Sequence, residues 1–140
     1  MTSDQPGGPE QIVYIDRSDI RGDVQALKSG IRALVGFVEA NEPRLLAYGF
    51  YVDEAARQMT VVAVHPDAAS LVFHIEIGGA EFRKLAHLIT LRSIDVYGRL
   101  DGTALGLLGQ KAAALGGAGS VTVHERSDGF SRLRASTDGG

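Results

Sequence analysis

Histidine is the side chain in this chain best suited to proton chemistry. Three of the four histidines fall within one stretch, Val61 to Tyr97. His74 shares a helical stripe with Leu71 and Ile75, which aims it at whatever that helix packs on. With an ordinary pKa of about 6.5, an imidazole so placed could bind or deprotonate a phenolic substrate. The competing reading is a semi-buried histidine bonded to a backbone carbonyl or a neighbouring side chain. His65 ends an apolar run at His65-Pro66-Asp67 and is expected at the rim of a cavity, or else as a turn residue that satisfies exposed backbone groups. His87 lies off the Phe82-Leu85-Ala86 stripe, beside Arg83 and Lys84, and reads as a solvated residue.

Other polar and aromatic groups are less directive. Tyr48 and Phe50 fall on one face of a strand and Tyr51 on the other. One set could contact an aromatic ligand and the other a dimer interface, while simple core packing is the commoner use. Arg92 and Asp95 read as occupying opposite faces of a later strand. Whichever faces inward needs a partner and becomes a candidate for ligand recognition. The alternative is an ion pair at a dimer seam or sheet edge. Lys111 is isolated. His65 and His74, nine positions apart, match no zinc spacing, so no metal site is expected. Gly116-Gly117-Ala118-Gly119 follows a helix rather than a strand and reads as a helix stop, not a phosphate cradle. No Gly-x-Ser-x-Gly elbow occurs.

Composition narrows the classes further. At 140 residues the chain suits one domain. The absence of cysteine excludes disulfides, thiolate catalysis and cysteine-ligated metals, and fits a cytoplasmic protein. A net charge of -3, with no Lys/Arg run, argues against nucleic-acid binding. No apolar run reaches the roughly 18 residues of a membrane span. MTSDQPGGPE lacks the layout of a signal peptide and reads as a loose tail.

The elements that must position these residues follow from periodicity. Gln11 to Asp16 reads as a strand, and Asp19 to Asp23 as a polar turn. Val24, Leu27, Ile31, Leu34, Val35 and Val38 make Asp23 to Ala40 an amphipathic helix, ended by Asn41 and Pro43. Arg44 to Val52 and Met59 to Val64 form a β-hairpin. Ser70 to Ile77 satisfies both periods and is taken as helix because Pro66-Asp67 leads into it. Gly78-Gly79 is expected to break that helix, which resumes over Ala80 to Leu88. Leu91 to Tyr97 is a strand. Asp101 caps a helix with Leu105, Leu108, Ala112 and Leu115 inward, and Ser120 to His124 is a last strand.

This order is α+β, a ferredoxin-like βαββαβ unit with an extra C-terminal helix and strand. One domain over residues 11–133 is expected, with flexible tails at 1–10 and 134–140. The first three strands read as apolar on both faces, and helices cover one face only. The other face therefore calls for a homodimer packed sheet to sheet.

The pattern resembles the dimeric α/β-barrel superfamily, and within it the antibiotic-biosynthesis-monooxygenase-like domains. The resemblance rests on YGFYVDEAARQMTVVAVHPDAASLVFHI, on GAEFRKLAHLI, on SIDVYG and on GFSRL, and spans roughly Gln11 to Leu133. It implies a dimer with a cavity between sheet and helices. Some such proteins oxidise aromatic polyketides or quinols with oxygen and no metal or flavin. A related branch degrades haem with an Asn on the first strand and a Trp and His on the second helix. His87 resembles that His, but the chain has no Trp and QIVYID has no Asn, so haem degradation is not expected.

The leading expectation is thus a cofactor-independent monooxygenase acting on a phenol, quinol or polycyclic aromatic. His74 is its candidate catalytic residue, and His65, Tyr48, Phe50, Arg92 and Asp95 are candidate substrate contacts. The alternatives are a non-catalytic dimeric protein that binds a small apolar molecule, and a dimeric structural partner whose cavity is filled.

Overall fold

The computed structural model describes residues 10–116 and 120–134. Apart from Glu10 and Arg134, the two expected tails lie outside them, as do residues 117–119 of the glycine run. The elements are β1 (Ile12–Ile20), α1 (Val24–Asn41), β2 (Ala47–Asp53), β3 (Gln58–His65), α2 (Ala68–Arg83), β4 (Ile89–Tyr97), α3 (Gly102–Ala114) and β5 (Val121–His124). A short 3-10 turn, Ala86–Leu88, joins α2 to β4. The strands form one open sheet in the order β2-β3-β1-β4-β5. The first four strands are antiparallel to their neighbours, and β5 runs parallel to β4. This is the expected ferredoxin-like unit, extended by a β4-α3-β5 crossover. The chain by itself is an open sheet, not a closed barrel.

Asp residues start all three helices. Asp23, Asp67 and Asp101 accept the backbone N–H three residues on, at 2.8, 2.9 and 2.9 Å. Each satisfies a donor that has no partner inside the helix. Alternation then fixes the sheet faces. Ile12, Tyr14, Asp16, Ser18 and Ile20 are buried under the helices, while Val13, Ile15, Arg17 and Asp19 lie on the other face. The outer face is therefore apolar only in part. Val13, Ile15, Val62 and Val64 are paired across β1 and β3, and charged residues follow toward the C-terminal end of β1.

Three expectations are corrected. First, β1 continues into the proposed turn to Ile20, because Ser18 and Asp19 pair with both β3 and β4 and Ile20 pairs with β4. Second, Gly78-Gly79 does not break α2, which runs unbroken to Arg83. Gly78 serves packing instead: a Cβ there would lie 2.8 Å from the Phe82 ring. Third, Leu105 is exposed, so the buried stripe of α3 is Ala104, Leu108, Ala112 and the following Leu115.

Candidate active site

The inner face of the sheet carries more polar chemistry than a core of this size needs. Tyr14 and Asp16 are two residues apart on β1 and so point the same way. The tyrosine hydroxyl donates to Asp16 Oδ2 at 2.6 Å. From the opposite side, α3 inserts Lys111 into the buried stripe. Its side chain is only 8% exposed, and its ammonium lies 3.9 Å from Asp16 Oδ2. The same ammonium sits over the rings of Tyr14 and Phe82, at 4.5 and 4.2 Å from their centroids.

A second buried pair stands beside the first. His74 points from α2 toward the sheet, as its stripe predicts, and is buried. Its Nδ1 lies 2.7 and 2.8 Å from the two carboxyl oxygens of Glu42, the residue that follows α1. The imidazole packs on Tyr48 and Phe82, with centroids 5.3 and 5.1 Å away. His65 lies 5.5 Å from His74, ring to ring, and its Nδ1 bonds Ser70 Oγ at 2.8 Å. Two buried polar atoms, His65 Nε2 and Ser18 Oγ, have no partner among the described residues.

Burial moves most of these groups toward their neutral forms. It pushes the Glu42 carboxyl up to about 7, an effect that the Lys111 charge opposes. It pushes His74 down to about 3, with the Lys111 charge acting in the same direction. His65 is likewise pushed down to about 3, by burial and then by His74 and Lys111. Burial raises Asp16 above the usual carboxylate range, against Lys111 and the Tyr14 hydrogen bond. Lys111 itself is lowered by burial, while Asp16 and Glu42 hold it up. A neutral imidazole beside a carboxyl at about 7 shares one proton with it. A protonated carboxyl donates to Nδ1, and an ionised one accepts from Nδ1–H.

The cluster surrounds a cavity of about 30 Å³, room for one water. Asp16, Ser18, Tyr48 and Lys111 supply its polar wall, and side chains such as Phe50 and Phe82 supply the rest. An aromatic ring does not fit without movement of Phe82 or Leu115. Both of these residues, with Lys111, also line a surface groove of about 350 Å³ between α2 and α3. Side-chain motion there would join groove and chamber. A further groove of about 360 Å³ at the α1–β2 connection reaches Glu42 and Tyr48.

The expected site residues divide unevenly. Tyr48 and Phe50 line the chamber, while Tyr51 faces outward and is 62% exposed. His74 stands one layer behind the wall, in contact with Tyr48 and Phe82. Its displaced pKa removes the earlier argument that an imidazole near 6.5 serves as the base. His65 is not at a rim. It is fully buried, because β3 alternates Met59, Val61, Ala63 and His65 inward to its end. Arg92 and Asp95 do not reach the chamber, and the reason is a β-bulge. Arg17 pairs with Ser93 and Ser18 with Leu91, leaving Arg92 as an extra residue. Both charges thereby face outward. Arg92 pairs with Asp19, and Asp95 accepts from Arg17 at 3.4 Å and lies 2.9 Å from His124 Nε2. His87 is exposed in the 3-10 turn.

Tyr14, Asp16, Ser18, Glu42 and Lys111 were not anticipated. Alternation alone places the first three with Ile12 and Ile20. Lys111 occupies the i+3 position of the Leu108, Ala112, Leu115 stripe, where a lysine signals a buried cation. Glu42 carries a subtler signal: an acid directly after a helix C-terminus, where the dipole disfavours negative charge. Among the described residues, no group of three or more His, Asp or Glu side chains could hold a metal ion. No described helix is long and apolar enough to cross a membrane.

Comparison with solved structures identifies the same fold in several proteins. MupZ from Pseudomonas fluorescens is similar at a TM-score of 0.62 and 22% identity, over 87% of this chain and 94% of that one. SnoaB from Streptomyces nogalater, a cofactor-independent oxygenase, is similar at a TM-score of 0.56 and 14% identity, over 65% and 94%. A proposed antibiotic biosynthesis monooxygenase from Caulobacter crescentus is similar at 0.57 and 14%, over 67% and 93%. No protein-family model and no curated protein matches the sequence. The chain shares its fold with these proteins.

Proposed function

We propose that the chain is a cofactor-independent monooxygenase acting on a phenolic, quinol or polycyclic aromatic small molecule. The observation that carries the reading is a carboxyl, a phenol, a serine hydroxyl and an ammonium on the wall of an otherwise apolar chamber. Burying them is costly, and a purely structural core gains nothing from them. The oxygenase among the fold neighbours supports the same reading.

In this reading the substrate supplies the electrons. An anthrone-type CH₂ and one O₂ give a carbonyl and one water, so no external reductant is required. The protein removes the phenolic or enolic proton and holds the electron-rich anion away from solvent. Asp16 lies on the wall, and its raised pKa makes it a stronger base than an ordinary carboxylate. His74, held by Glu42, buttresses Tyr48 and Phe82 and links the chamber to a carboxyl at about 7. The ring enters when Phe82 swings into the α2–α3 groove.

Oxygen consumption with an anthrone or a quinol tests this. Uptake above the spontaneous rate is expected, falling about 10²-fold or more in Asp16→Asn. Uptake equal to a protein-free control would overturn it.

The reading includes a homodimer packed sheet to sheet. Val13, Ile15, Val62 and Val64 form a contiguous outer patch, and Tyr97, 43% exposed, pairs with Val13. Sedimentation at micromolar concentration is expected to show a dimer; a monomer would remove this part.

A further inference from the structure

We propose that Lys111 is the anion-binding residue of the chamber, and that it restricts the ligand to one presenting an oxyanion, such as an ionised phenol, enol or hydroxyquinone. The inference rests on the proposed function for the location of the site, and it adds the group that recognises the ligand.

Three observations carry it. The first is the state of the ammonium. It has three donors, yet among the described residues none makes a hydrogen bond, and the nearest carboxyl oxygen is 3.9 Å away. A buried ion pair kept for structure compensates its desolvation with close hydrogen bonds. Here the contacts are the faces of Tyr14 and Phe82 and the longer ion pair with Asp16, so no close acceptor holds the ammonium.

The second observation is Ser18. It is 2% exposed, lies on the same wall, and its hydroxyl has no partner among the described residues. A cation without a hydrogen bond and an unpaired hydroxyl line one small pocket. The third is position. Lys111 belongs both to the chamber and to the α2–α3 groove, so a ligand arriving by that groove meets the ammonium before the chamber interior.

The charges facing Lys111 define what it can accept. Asp16 and Tyr14 come from β1, Glu42 from the end of α1, His74 from α2 and His65 from β3. Both histidines are neutral, and Glu42 is largely protonated below about pH 7. Asp16 is then the counter-charge. Transfer of the ligand proton to Asp16 breaks the ligand O–H bond, forms a carboxylic O–H bond and leaves the oxyanion opposite Lys111. Net charge is conserved, and one negative charge moves from Asp16 to the ligand. The aromatic wall of Tyr48, Phe50 and Phe82 favours a ring attached to that oxygen.

The test uses 4-nitrophenol, whose anion is seen directly by its absorbance. Titrated against the whole chain, the bound probe is expected to be ionised about tenfold more than the free probe at the same pH. Lys111→Met should bind it without that gain, and Lys111→Arg should retain most of it. Circular dichroism checks folding. If Lys111→Met is unfolded, Asp16→Asn with Lys111→Met takes its place, since that pair leaves no unmatched charge. A bound probe that stays neutral in the parent chain would overturn the assignment, as would a gain that survives loss of Lys111. Oxygen uptake without the ionisation gain would leave the oxygenase standing and remove Lys111's role. The ionisation gain without oxygen uptake would do the reverse.

Discussion

The two faces of this sheet hold their charges differently. On the outer face, Arg17, Asp95 and His124 form one group, and Asp19 and Arg92 another, all with access to water. On the inner face, Asp16, Lys111, Glu42 and the neutral His74 are buried under three helices. β1 contributes to both sets by simple alternation, Asp16 inward and Arg17 and Asp19 outward. The outer charges cost little to place and stabilise little. For the inner ones the desolvation cost can exceed the Coulomb attraction. That difference locates the chemistry: the expensive charges are those whose presence needs a reason beyond folding.

Removing one inner partner is the largest perturbation. Glu42→Ala leaves His74 Nδ1 buried without its partner and opens space beside it. A loss of about 2–4 kcal/mol in unfolding free energy is expected by urea titration. A loss under about 0.5 kcal/mol would show that the inner pair resembles the outer ones.

Acid is the next lever. The unfolded chain protonates His65 below about 6.5, whereas the folded chain does so only below about 3. Its folded pKa is lowered, so folding stability is present above 6.5 and is lost as pH falls toward 3. The slope from this residue is about 1.4 kcal/mol per pH unit. Glu42 and His74 cancel between 4.5 and 6.5, because the pair carries one proton in either state: on the carboxyl when folded, on the imidazole when unfolded. Between pH 6.5 and 5 the parent should therefore lose about 2 kcal/mol more than His65→Gln does. Equal losses would contradict the placement of His65 in the core.

The smallest effect is expected outside. Asp19→Ala should cost less than about 1 kcal/mol, and less still at high salt, because its partner Arg92 remains solvated. A larger cost would erase the contrast between the faces.

Much of the scaffold was legible because it is local. The α1 stripe, the Asp67 cap and the 48/50 alternation of β2 all rest on period and capping, which sequence displays directly. His74 pointed inward for the same reason. The misreadings arise where tertiary contacts override local pattern. Arg92 and Asp95 needed the bulge, which exists only once β1 pairs with β4. Gly78 looked like a helix break because its packing against Phe82 is invisible without the fold. Lys111 and Glu42 lie 69 positions apart and come near the histidines only when α1, α2 and α3 pack together over the sheet. Their individual signals were present, a lysine inside an apolar stripe and an acid after a helix end. Neither identified the other.

The central claim is that the inner charges serve a ligand rather than the fold. The urea-unfolding free energy of Asp16→Asn combined with Lys111→Met tests it most directly, since both partners are removed and no ligand need be known. A value equal to the parent's within about 1 kcal/mol, or higher, is what the account predicts. A loss of about 3 kcal/mol or more would contradict it and assign the pair to stability.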